Sequence, residues 1–251
     1  MEKSKLETFI KRYSLGGICE SAHWYSDAEK QVLIARAHTE DKTVILKVTL
    51  KKWEGVETCQ LALPSSTKIK GMLGPIGDHV TVTLNKIRDR IANFTISDDD
   101  CEAICTVAEY DAFPETLDVD SDTVDDIPKE FEVEIKLTDA FIDKVKKGVS
   151  ALKEAKDFVL INNKKGNLDM VINYEDTNTN RIRIPLETVD GKNILDNPLG
   201  YSTPVFKAIM DANEGFENSI LKVSSRGLAV MAFEDDLFKS TYFLFPTRVI
   251  E

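Results

Sequence analysis

Several features that would point directly to a function are missing from this chain of 251 residues. It has no stretch of about 18 consecutive apolar residues, which excludes a membrane-spanning helix. Its first 15 residues mix charged with apolar side chains, so we expect no secretory signal. We therefore predict a cytoplasmic protein with no membrane partner.

The motifs of common enzyme classes are also missing. The sequence has no P-loop, no GxSxG, no HExxH and no dinucleotide-binding fingerprint. Its few histidines are isolated along the chain: His23, His38 and His79. Residues 98–100 are three aspartates that could ligate a metal, but we favour a turn between two strands. We therefore predict that the protein is not an enzyme and has no catalytic residue, metal or cofactor.

Cysteine is scarce, with four residues in the whole chain: Cys19, Cys59, Cys101 and Cys105. The last two have no second cysteine pair and no histidine nearby, which argues against a zinc site. Reduced thiols in a cytoplasm are the expected state.

The net charge of −11 argues against a surface that simply adheres to nucleic acid, because phosphate binding needs an excess of Lys and Arg. Much of the negative charge lies in residues 111–130, which hold eight acids against one lysine. Pro114, Pro128 and like-charge repulsion favour an extended chain there. The segment is either a surface loop or a linker, and we favour a linker because the sequences on its two sides resemble each other. We predict domains at 1–112 and 130–251, joined by an acidic connector at 113–129.

Two helix-like segments of the first half recur in the second half. Phe9-Ile10-Lys11-Arg12 matches Phe141-Ile142-Asp143-Lys144 at an offset of 132 residues. Residues 65–73 match residues 202–210 at an offset of 137, and Pro204 suits the first turn of a helix. Two matches in the same order and at similar offsets indicate a duplication.

Helix starts and strands complete each half. Residues 4–7 have the capping-box pattern, which predicts that the first helix begins there, and Thr138 stands in the corresponding place of the second half. Short β-rich runs surround the helices, at residues 43–50, 80–84, 131–137, 181–187, 219–224, 228–233 and 241–246. We therefore predict a duplicated α+β domain with two helices and about eight strands in each half.

Positive charge is concentrated on the predicted helices. Residues 1–13, 64–76 and 137–153 each carry a net charge of +2, whereas residues 202–214 carry −1. Lysines on one amphipathic helix could merely solvate its outer face. Three positive helices out of four, in a chain as acidic as this, favour a surface that faces a polyanion.

Several segments now resemble a known family. Near the C-terminus, residues 219–224 and 227–233 precede Thr241-Tyr242-Phe243-Leu244-Phe245-Pro246, which is similar to the closing tyrosine–aromatic–leucine–x–proline of trimeric DNA sliding clamps. Residues 64–81 look like the second helix and following strand of such a clamp, and the acidic segment falls at its interdomain connector. The family includes bacteriophage polymerase clamps and proliferating cell nuclear antigens. The early first helix favours the bacteriophage type.

The resemblance implies a duplicated DNA-clamp domain, with two helices on curved antiparallel sheets per domain, closing into a homotrimeric ring. Such a ring encircles double-stranded DNA without sequence specificity and tethers a replicative DNA polymerase and other replication proteins. A clamp-loader ATPase is a further implied partner, and a viral source would place the protein in the host cell cytoplasm. The side chains expected to face DNA are Lys3, Lys5, Lys11, Arg12, Lys68, Lys70, Lys144, Lys146, Lys147, Lys153 and Lys207.

The resemblance also implies two protein-binding surfaces. Subunits would join through the strand near residues 101–110 of one copy and the strand near residues 181–186 of the next. Partner peptides would bind a pocket formed by Leu228, Phe243 and Pro246, with Val124 and Ile127 of the connector as one wall. Core packing explains Leu228 and Phe243 as well, whereas Pro246 at the end of a strand favours a surface position.

Two other interpretations stay open. A monomeric processivity factor of the same fold would hold DNA on its basic face without forming a ring. An unrelated small-molecule enzyme or an acidic scaffold would share only the composition. The native mass separates the ring from the monomer.

Overall fold

The computed structural model describes residues 1–54, 56–88, 90–112, 130–164, 166–175, 179–187, 194–216 and 219–250. The chain divides into two compact units. The first comprises Met1–Glu40, Ile45–Leu117 and Asp235–Ser240, and the second comprises Asp41–Val44, Asp118–Glu234 and Thr241–Glu251. The predicted connector at 113–129, with Val124 and Ile127, lies outside the described residues, so the predicted domain boundaries stay predictions.

The described residues form four α-helices, two in each unit: α1 (Lys3–Ser14), α2 (Ser66–Met72), α3 (Asp139–Ala151) and α4 (Thr203–Ala212). Three of them begin after a hydroxyl residue whose side chain accepts a hydrogen bond from a backbone N–H of the first turn. These capping residues are Ser65, Thr138 and Ser202. Pro204 lies in the first turn of α4, as predicted.

The start of α1 corrects the predicted capping box. The helix begins at Lys3, its N-cap residue Glu2 makes no side-chain capping bond, and Ser4 lies within the helix. Backbone contacts fix this end instead, because the N–H of Lys3 donates to the carbonyl of Asp78 over 2.8 Å. Since α1 and α3 begin 136 residues apart and α2 and α4 begin 137 apart, the sequence offset of 132 was short by about one helical turn.

The first unit contains seven strands among its described residues: β1 (Ala22–Asp27), β2 (Val32–His38), β3 (Val44–Lys51), β4 (Cys59–Leu63), β5 (Thr81–Ile87), β6 (Arg90–Ser97) and β7 (Glu102–Thr106). Strands β4, β1, β2 and β3 lie side by side in that order, and β5, β6 and β7 form a separate sheet. The pairings are antiparallel, with Trp24 opposite Ala35 and Phe94 opposite Cys105.

The strands numbered in the second half of the chain are β8 (Val133–Lys136), β9 (Asp157–Asn162), β10 (Leu168–Ile172), β11 (Ile182–Pro185), β12 (Leu199–Ser202), β13 (Ser219–Val223), β14 (Ala229–Glu234), β15 (Phe238–Leu244) and β16 (Arg248–Val249). Strands β15, β14, β13 and β8 are neighbours in that order, and β11, β10, β9, β12 and β16 form a further sheet. The registers again run antiparallel. The predicted α+β fold class, with its repeated pair of helices and antiparallel sheets, is confirmed.

Alternating side chains explain why these segments form strands. In β2, β7 and β13, every second residue is buried, as expected for a strand with one face on a core. In α1 the buried side chains are Leu6, Phe9, Ile10 and Tyr13, which follow the three- and four-residue spacing of one helix face.

Aromatic side chains connect these layers inside each unit. In the first, the ring of Trp24 lies 5.4 Å from that of Phe9 on α1 and 5.7 Å from that of Phe94 on β6. In the second, the rings of Phe158 on β9 and Phe206 on α4 lie 4.7 Å apart. Each helix pair is therefore anchored on its sheets by large apolar groups, which leaves its polar face outward.

Among the described helices the longest has 13 residues, and none is long and apolar enough to cross a membrane.

Candidate nucleic-acid interface

Each unit presents a pair of helices whose outer faces carry the predicted site residues. Helix α1 packs on α2, and α3 packs on α4. Because the apolar face of each helix is buried, the lysines of both pairs lie on the remaining surface. The exposed members of the predicted set on these helices are Lys11, Lys68, Lys70, Lys144 and Lys147, and Lys153 is exposed in the turn after α3.

Two lysines at the start of α1 are only partly exposed. The ammonium of Lys3 donates to the carbonyl of Ile76 over 2.5 Å, which fixes it near the end of α2. The ammonium of Lys5 lies 3.8 Å from a carboxylate oxygen of Glu2. Both add positive charge to the α1–α2 pair, but their side chains are less free to follow a ligand than that of Lys11.

Arg12 is the one predicted DNA-facing residue that the structure removes from this surface. Its side chain is buried, with 5% exposure, and its guanidinium carbon lies 4.0 Å from the ring centre of Phe238. A cation stacked on an aromatic face is attracted by the ring quadrupole, which makes that face partially negative. The prediction for Arg12 was therefore wrong. The charge lies on the buried side of α1, stacked on Phe238.

Three lysines of the α3–α4 pair are bound by acids, and one of them is Lys147, whose ammonium lies 2.7 Å from Asp143 Oδ2. The ammonium of Lys146 lies 3.0 Å from Asp211 Oδ1 and 3.1 Å from Glu214 Oε1. The ammonium of Lys207 lies 2.5 Å from Asp211 Oδ2. Partial burial opposes ionisation of Asp211, but hydrogen bonds from Lys207 and Lys146 outweigh it and hold its pKa below the ordinary value. Burial likewise opposes the charge of Lys146, and its two carboxylate partners raise its pKa.

A groove separates α3 from strand β11, the outermost strand of its sheet. Its volume is about 500 Å³. The residues around it are Lys144, Lys147, Gly148, Ile182, Arg183, Ile184 and Pro185. Two of the predicted DNA-facing lysines therefore border an apolar groove beside a strand predicted to join subunits. Arg183 is fixed there by Asp169, whose Oδ2 lies 3.0 Å from the guanidinium.

The other strand predicted to join subunits, β7, is also the last strand of its sheet. Ala103 and Cys105 are buried, and the side chain of Ile104 points away from them with 51% exposure. An exposed isoleucine on an open strand edge is the kind of feature that favours pairing with another strand.

The predicted peptide pocket combines buried with surface residues. Leu228 and Phe243 are 6% and 8% exposed, so they pack in the core and could form only the floor of a pocket. Pro246 is partly exposed and packs closely on Gly227, whose φ is +103°. Phe245, next to Pro246, is on the surface at 39% exposure and was not among the predicted pocket residues. The strand alternation fails here because Tyr242, Phe243 and Leu244 are all buried.

Two further sequence features have plain structural roles. Asp98 accepts hydrogen bonds from the N–H groups of Asp100 and Cys101, so the predicted turn between strands is confirmed. The four cysteines, all within the described residues, are free thiols.

A cavity of about 670 Å³ in the first unit, bordered by Leu61, Ile87 and Tyr110, contains none of the predicted site residues.

Two solved structures share this arrangement of helices and sheets over nearly the whole chain. The chain is similar to proliferating cellular nuclear antigen from Entamoeba histolytica, with 12% sequence identity, a TM-score of 0.70, and coverage of 98% of this chain and 96% of that one. It is also similar to the A. fulgidus PCNA bound to the C-terminal region of FEN-1, with 15% identity, a TM-score of 0.72, and coverage of 100% and 98%. No protein-family model and no curated protein sequence matches the chain. At these identities the likeness shows the fold, which is the sliding-clamp fold over essentially its whole length.

The burial of Arg12 leads to a stability prediction. Arg12→Ala should lower the free energy of unfolding by about 2 kcal/mol, because it removes a desolvated cation from the face of Phe238 together with buried packing atoms. The neighbouring Lys11→Ala removes an exposed charge and should change stability by no more than about 0.5 kcal/mol. Urea unfolding at one fixed protomer concentration measures both. Equal effects of the two substitutions would contradict the structural role of Arg12.

Proposed function

We propose that the protein is a sliding clamp, a non-enzymatic ring of three copies that encircles duplex DNA and tethers a replicative polymerase. The observation that carries the proposal is the exposed lysine surface of the helix pairs on a clamp fold, in a chain whose net charge is −11. In such a ring the helices face the hole and the acidic remainder faces outward. The proposal places the protein in the cytoplasm, or in the host cell cytoplasm for a virus.

Lysine contacts suit sliding because they recognise phosphates without reading bases. A ring needs no tight contact, since a closed ring is retained by topology rather than by affinity. Weak contacts, many of them bridged by water, are exchanged easily as the ring moves along the duplex. The same chemistry explains why an acidic protein could act on DNA, because only the surface toward the duplex has to be positive.

The charge on α1 and α2 provides the first test. Reversing Lys11, Lys68 and Lys70 to Glu should weaken binding to a linear duplex by about tenfold or more. It should also reduce the slope of log K against log salt by about 0.9 for each phosphate that these helices no longer neutralise. Fluorescence anisotropy over a salt series measures both quantities.

A matched control for this test reverses Lys30, Lys42 and Lys52, which are exposed in turns. The control changes the net charge by the same amount and leaves the helices intact. Equal weakening in the two triple variants would mean that net charge, and not the helix surface, governs binding.

The free edges of β7 and β11 support a trimer. Strand pairing between the two would extend both sheets and would cover two open edges at once. Ile104 on β7 provides an apolar side chain, and the groove between α3 and β11 provides apolar partners in Ile182 and Ile184. Head-to-tail contacts of this kind close into a ring when the rotation allows it.

The oligomeric state provides the second test. Sedimentation equilibrium at micromolar concentration should give about three times the 28.2 kDa mass of one chain. Ile104→Asp should shift the protein toward the monomer, because it would bury an unpaired charge in the interface between subunits. Ile87→Asp, at an exposed isoleucine outside β7 and β11, should leave the mass unchanged. A wild-type monomer would favour a processivity factor that binds DNA without a ring.

Partner proteins are proposed to bind near the C-terminal strand. Phe245 and Pro246 form the surface part of this site, over a floor that contains Leu228 and Phe243. The similar A. fulgidus structure is a complex with a C-terminal region of FEN-1, which supports peptide binding as the mode of attachment. The proposed partners of this chain are a replicative polymerase and a clamp-loader ATPase.

Peptide titration provides the third test. Phe245→Ala should weaken binding of a C-terminal peptide from the cognate polymerase by about tenfold to a hundredfold, because a few apolar anchors carry most of the energy of such contacts. Val249→Ala removes a similarly exposed apolar side chain and serves as the control. Leu228→Ala should also lower the melting temperature, since Leu228 is buried. Unchanged affinity in the Phe245 variant would place the peptide site elsewhere.

A further inference from the structure

Helix stability does not explain the acids on α4. Asp211 lies in the last turn of the helix, and Glu214 follows its C-terminal cap Asn213. The C-terminal end of a helix carries partial negative charge, so carboxylates there are unfavourable to it. The order of Lys207 before Asp211 is also the weaker orientation for a pair four residues apart. Their contacts with Lys207 and Lys146 are therefore the interactions that favour them.

The α1–α2 pair holds its lysines less tightly. Lys5 lies 3.8 Å from Glu2, and the carboxylate of Glu20 interacts electrostatically with Lys68. Among the described residues, Lys11 and Lys70 form no ion pair. On the α3–α4 pair, a single carboxylate, that of Asp211, holds the ammonium groups of both Lys146 and Lys207. The side chain of Lys146 is 21% exposed, so its charge is further withdrawn from solvent. The two helix pairs therefore differ in how much positive charge they can offer to a phosphate.

We propose that Asp211 and Glu214 weaken the hold of the α3–α4 helices on DNA by occupying Lys146 and Lys207. This inference rests on the proposed function and names two residues that lower the strength of DNA binding. A phosphate that approaches Lys146 or Lys207 must displace a carboxylate already in place, and the remaining acid repels it. In a ring retained by topology, the weaker surface lowers the resistance to sliding.

The test is Asp211→Asn, which removes the charge and keeps the shape of the side chain. Binding to a fluorescent duplex of about 30 base pairs should tighten by about threefold or more at ~0.05 M salt, where screening is weak. The slope of log K against log salt should steepen by about 0.9 for each lysine that binds a further phosphate. Glu29→Gln is the charge-matched control, because Glu29 is exposed in the turn between β1 and β2. Asp211→Glu keeps the charge and should restore wild-type binding.

The outcomes separate this inference from the proposed function. If wild type binds DNA in a salt-dependent manner and Asp211→Asn binds with the same affinity and slope, the inference is overturned and the sliding clamp stands. An equal gain from Glu29→Gln also overturns it, since net charge alone would then explain the effect. If wild type shows no salt-dependent binding, the proposed function itself fails.

A second variant tests the inference in case Asp211→Asn destabilises the fold. If Asp211→Asn lowers the melting temperature, Glu214→Gln replaces it, because the side chain of Glu214 is 72% exposed and its ion pair is with Lys146. It should steepen the salt slope in the same direction by a smaller amount. A flatter or unchanged slope in that variant would overturn the inference.

Discussion

Burial of one apolar face on each helix is the constraint on which the rest of this structure depends. Leu6, Phe9, Ile10 and Tyr13 of α1 are fully buried, and each of the first three side chains contributes roughly 1.5–3 kcal/mol on transfer from water. Once these residues are fixed on the sheets, the direction of every other side chain on the helix is fixed too. Lys11 then points to solvent, whereas Arg12, one position further, is carried onto Phe238. The same sequence neighbours therefore have opposite roles, one electrostatic and one structural.

The net charge of −11 is compatible with a polyanion ligand only because the charges are segregated. The helix pairs carry five of the exposed lysines, and most of the acids lie outside the helices. The segregation is incomplete, since Asp211 and Glu214 lie among the lysines of α3 and α4. The charge count of residues 202–214 already indicated that α4 differs from its counterpart α2. That an acid of α4 would also bind a lysine of α3 could not be read from that count.

The open edges of β7 and β11 show how the antiparallel strand pairing that builds each sheet can also join two copies of the chain. Antiparallel pairing satisfies the backbone groups of each inner strand, but the outermost strands keep one row of N–H and C=O groups without a strand beside them in the described structure. The Ile104 side chain on one edge and the groove beside the other are the features that a second copy would cover. Strand periodicity located β11 in the sequence, and the resemblance to sliding clamps located β7. The sheet order established that both strands are edges.

The sequence by itself determined the α+β class, the repeated helix pair, the helix start at Thr138, the place of Pro204 in α4 and the turn at Asp98, because local periodicity and capping chemistry specify these features. It misplaced the α1 start, since a backbone contact to Asp78 replaces a side-chain cap there. The first repeat offset differed from the spacing of the helix starts by about one helical turn. Only the tertiary structure decided that Arg12 is buried, that Phe243 is buried while Phe245 is exposed, and that Asp211 joins Lys146 to Lys207. Each of these three facts depends on contacts between residues that are far apart in the sequence. Hydrophobic periodicity and charge counts describe only residues that are close in the sequence, so they do not predict such contacts.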